Sequence, residues 1–128
     1  MRRLPAALLV LTAAGCASTA NPGLSPRAKL EAACLEVLSD EQALLRPEER
    51  GQCLPCRVRS GCSRPPVPPD PAGYLIVGVD RSPATRAEIL AAIEDWEPGR
   101  DLVLTIRRND RLSSETGWYE VVVPLRMR

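Results

Sequence analysis

Hydrophobic and polar positions follow several different periods along this chain, and each period predicts a different element. Arg2 and Arg3 precede an apolar run over residues 4–14, which closes at Gly15-Cys16. A basic start followed by about 7–15 apolar residues is the pattern of an export signal, whereas a membrane span takes about twenty. Residues 16–25 are small or polar, with Pro22 and Gly23, and read as a tether. From Pro26 the apolar residues Leu30, Ala33, Cys34, Val37 and Leu38 recur at spacings of three and four, which predicts a helix whose apolar face carries Cys34. Ser25 and Pro26 suit its N-cap and first helical position. Ser39-Asp40 stops that helix and can cap a short second one through Leu45, and Pro47 starts one more turn.

Residues 52–71 hold three cysteines and six prolines and show no alternating apolar run. They read as a cysteine-stapled loop followed by a stiff, extended connector over 63–72, because proline fixes φ. After Gly73 the pattern changes again. Residues 74–79 form an apolar strand, ended by Asp80-Arg81-Ser82-Pro83. Thr85 and Glu88 have the spacing of a capping box, in which each side chain satisfies a free backbone donor of the other. The helix behind them places Ile89, Leu90, Ile93 and Trp96 on one face and ends at Pro98-Gly99. Leu102, Leu104 and Ile106 alternate with polar or smaller residues, and Tyr119, Val121, Val123 and Leu125 share a face of a last strand. The expected fold class is α+β: a short helical, disulfide-stapled segment over 26–62, a linker over 63–72, and a small β-α-β-β module over 73–128.

Composition narrows the chemistry. The chain has 128 residues, so cleavage after Gly15 leaves 113, enough for one small core and a tail. Without Arg2 and Arg3 the 17 basic residues become 15 against 16 acidic ones, a balance with no electrostatic footprint for nucleic acid. Histidine is absent, which removes Ser-His and Cys-His nucleophiles and every His-ligated metal site. No cofactor is expected.

The ending Ala13-Ala14-Gly15-Cys16 resembles the lipobox of bacterial lipoproteins, which are cut before the cysteine and acylated on it. The resemblance implies residues 1–15 as signal peptide, Cys16 as the lipidated residue, and a lipid-anchored chain of the bacterial envelope. Ala17-Ser18 carries no acidic retention signal, which points to the outer membrane facing the periplasm. Plain secretion after Ser18-Thr19-Ala20 is the alternative. Setting Cys16 aside leaves Cys34, Cys53, Cys56 and Cys62, for which two disulfides in any of three connectivities are the default in an exported protein. Two other uses of the same residues compete. Cys53-Leu54-Pro55-Cys56 has the C-x-x-C form of thiol-disulfide oxidoreductases, and all four cysteines together could hold zinc.

The module from Gly73 onward resembles the C-terminal half of a PDZ domain of the bacterial envelope type. The residues that carry this are Ala72-Gly73-Tyr74-Leu75-Ile76-Val77-Gly78-Val79-Asp80, then Ala84-Thr85-Arg86-Ala87-Glu88-Ile89-Leu90, then Glu97-Pro98-Gly99-Arg100-Asp101-Leu102-Val103-Leu104-Thr105-Ile106-Arg107-Arg108, and the closing strand from Trp118. Arg81 stands where that family has glycine. The family's glycine-rich carboxylate-binding loop and peptide-pairing strand have no counterpart in the sequence upstream. A generic βαββ unit is the alternative. The acidic residues Glu94, Asp95 and Glu97 read as a solvated helix end, and Lys29, the one lysine, is remote in sequence from them. No catalytic constellation emerges. The resemblance implies a non-enzymatic, membrane-tethered interaction or assembly subunit that meets another envelope protein. The alternatives are a thiol-disulfide protein using Cys53 and Cys56, and a purely structural lipoprotein.

Overall fold

A computed structural model describes residues 24–109 and 118–124. Two helices, α1 (Pro26–Ala32) and α2 (Arg86–Glu94), accompany six strands: β1 (Leu35–Val37), β2 (Leu54–Val58), β3 (Tyr74–Val79), β4 (Ser82–Pro83), β5 (Asp101–Arg108) and β6 (Trp118–Pro124). All strands join one antiparallel sheet in the order β1-β2-β3-β5-β6, with β4 hairpinned onto β3. The mixed α+β class is the expected one. Among the described residues no helix is long and apolar enough to cross a membrane.

The second half follows its pattern closely. Leu102, Leu104 and Ile106 of β5 and Val121 and Val123 of β6 face inward, against Ile89, Ile93 and Trp96 from α2. Thr85 and Glu88 form the capping box: the Thr85 N–H donates to Glu88 Oε1 at 2.8 Å and the Glu88 N–H to Thr85 Oγ1 at 3.3 Å. The ladder of β3 and β5 shifts register between Ile76 and Gly78. With Ile76 paired to Ile106 and Gly78 to Thr105, Val77 is the extra residue of a bulge. A Cβ on Gly78 would lie 2.6 Å from the Ser82 carbonyl oxygen, so the return of β4 over β3 requires glycine there. Asp80 and Arg81 make the turn with φ of 51° and 66°, and a left-handed pair is what a two-residue hairpin uses. The turn therefore forms without a glycine, at a conformational cost carried by Asp80 and Arg81.

The first half departs from expectation in four places. The helix does not run to Leu38. It stops at Ala32; Cys34 takes φ of 72°, and the chain turns into β1. Leu35 and Val37 face the main core, whereas Leu38 joins a second cluster on the opposite face of the sheet. A strand covered on both faces shows the same apolar density as a helix, so spacing alone could not separate them. Residues 40–44 form a turn, closed by Leu45 N–H donating to the Asp40 carbonyl at 3.0 Å, and a short 3₁₀ segment follows at Pro47–Glu49.

The loop expected over 52–62 contains β2, hidden by Pro55 inside it. Pro55 accepts the Leu38 N–H at 3.0 Å but has no N–H to return, so the ladder between β1 and β2 ends there. The connector over 63–72 is not a spacer between two units. Val67 is buried in the shared core, and the Tyr74 hydroxyl donates to the Pro68 carbonyl. Asp70 accepts from Arg108 Nη2 at 2.7 Å and from the Ala72 N–H at 2.9 Å. With β2 paired to β3 in one sheet, the division into a stapled segment and a separate module is corrected to one core.

Candidate functional site

The pairing of β1 decides what its outer edge can do. Arg59 N–H donates to the Cys34 carbonyl at 2.9 Å, and Leu38 N–H to the Pro55 carbonyl at 3.0 Å. These two bonds set the alternation, which turns the main-chain groups of Cys34, Glu36 and Leu38 toward β2 and those of Leu35 and Val37 away from it. Leu35 is fully buried, but Val37 lines a groove of about 610 Å³ between β1 and α2. Among the described residues, the Val37 N–H and C=O meet no partner across that edge. Leu54, Pro55 and Leu90 supply apolar surface in the groove, and Ser25-Pro26-Arg27 at the start of α1 forms a rim.

Arg86 and Lys29 hold the two walls. Arg86, the first residue of α2, grips Asp40 through both terminal nitrogens, at 2.5 and 3.3 Å, and donates from Nε to the Cys53 carbonyl at 2.8 Å. The Arg86 hydrogen bond holds the Asp40 carboxyl below its ordinary range, against the opposing effect of burial. At the far end of α2, Lys29 is buried, and its ammonium donates to the carbonyls of Ile93, Glu94 and Trp96 at 3.1, 2.6 and 2.6 Å. Carbonyls at a helix C-terminus lack intrahelical donors and carry partial negative charge, so one ammonium satisfies three of them and the helix dipole together. Sequence distance hid this residue. The only available signal was a lone lysine beside the apolar stripe of α1.

The cysteines do not assemble as expected. Cys34 is bonded to Cys62, while Cys53 and Cys56 are free and buried. The default of two disulfides is corrected to one. The reason is parity: three residues apart at the start of a strand, Cys53 and Cys56 fall on opposite faces, Cys53 beside Leu38 and Leu75 and Cys56 beside Leu54 and Tyr74. The same geometry separates the pair that the redox alternative requires and leaves the four-cysteine zinc alternative unassembled. Burial also pushes both thiols up, Cys56 to about 12, the reverse of what an attacking thiolate needs. Glu94, Asp95 and Glu97 are solvent-exposed at the end of α2. Among the described residues no group of three or more metal-ligating side chains could hold an ion. Cys16 and the signal segment lie outside the described residues.

No family model, curated protein or solved structure matches this chain.

Proposed function

We propose that this chain is a lipid-anchored subunit of the bacterial envelope, held through Cys16 at the periplasmic face of the outer membrane. In this reading it acts without catalysis, taking an extended segment of another envelope protein into the groove between β1 and α2. The observation that carries the reading is the edge at Val37: an N–H and C=O without a partner among the described residues, beside a groove of mixed apolar and charged lining, are what strand addition uses. The order of strand, hairpin, helix and returning strand from Tyr74 to Arg108 supports a PDZ-like module. β1 and β2 supply strands that the upstream sequence did not reveal.

Among the described residues the carboxylate-binding loop has no equivalent. In its place α1 leads straight into β1, and the Cys34 N–H is already taken by the Glu31 carbonyl at 3.0 Å. The groove therefore suits an internal segment in preference to a chain terminus. A photo-reactive amino acid at position 90, compared with one at the exposed position 44, tests this in intact envelopes. A defined protein adduct from position 90 alone is the expected result, and equal or no adducts from both positions would remove the interaction reading. The anchor has its own test in mass spectrometry of the mature N-terminus, where an acylated Cys16 is expected and an unmodified chain starting at Asn21 refutes it.

A further inference from the structure

We draw no further inference here: the strongest candidate, the apolar outer face of the sheet where the exposed Val122 pairs with Val103 beside the pocket under the Ser82–Pro83 hairpin, carries nothing, because it is an unpartnered sheet face and nothing in the structure shows what covers it.

Discussion

Lys29 Nζ donates to the Trp96 carbonyl at 2.6 Å, joining residues 67 apart in sequence and closing α2 with a side chain from α1. The contact ties α1 to the helix that walls the groove. Replacing Lys29 by methionine keeps the apolar stem and takes the donor from the Glu94 and Trp96 carbonyls, whereas the Ile93 carbonyl still accepts the Trp96 N–H at 3.1 Å. The expected loss is about 2–3 kcal/mol of unfolding free energy, since a charged group at such an end is worth up to about 2 and each orphaned polar group costs about 1–3. Denaturant unfolding of Lys29→Met against the parent measures it, and a change under about 0.5 kcal/mol would show the cap to be unimportant.

The Asp40–Arg86 pair makes stability depend on acid. Because Asp40 titrates below the ordinary aspartate value of 3.8 when folded, the pair's contribution is complete above that pH. It is lost as pH falls through the lower, folded value. The stability difference between the parent and Asp40→Asn is therefore expected to be flat above about pH 5 and to shrink under more acidic conditions. A difference that stays constant into strong acid would mean that the pair is not coupled to folding.

The buried thiols act at the other end of the scale. Cys56 is raised from 9.0 to about 12, so the unfolded chain ionises first and stability declines across that interval as pH rises. Under denaturing, non-reducing conditions Cys53 and Cys56 are expected to titrate as thiols, and neither is expected to react at neutral pH while folded. Finding no thiol after unfolding would restore the two-disulfide pattern.

The Cys34–Cys62 bond spans 28 residues, for which loop closure is worth about 3–4 kcal/mol. Because the two halves share a core, Cys34→Ala/Cys62→Ala is expected to lower the midpoint of one cooperative transition. Two separated transitions, or proteolysis confined to residues 34–71 under reducing conditions, would instead favour two independent units.

Gly78 and Gly51 offer a paired test of the β3–β4 turn. Alanine at 78 meets the Ser82 carbonyl oxygen at 2.6 Å, with backbone on both sides of the clash. Gly51, at φ of 87°, has nothing within 4 Å of an added Cβ. Gly51→Ala is expected to cost about 1 kcal/mol, the penalty for a left-handed alanine, and Gly78→Ala clearly more. Equal costs for the two would show that the hairpin relaxes around the added methyl.

The sequence by itself determined the elements whose signals are local: the capping box of Thr85 and Glu88, the inward face of Ile89, Ile93 and Trp96, and the three long strands at Tyr74–Val79, Asp101–Arg108 and Trp118–Pro124. Each of these is specified within a few residues of itself, by alternation, helical spacing or a cap. Tertiary structure alone decided the first half. Leu35–Val37 became a strand because β2 was there to pair with it. β2 tolerates Pro55 because the missing N–H falls where the ladder ends, and the proline-rich stretch packs because Val67 finds the core. Only the folded chain brings Lys29 to Trp96 and parts Cys53 from Cys56, since sheet parity and helix packing act on side chains through distance in space, which spacing along the sequence does not encode.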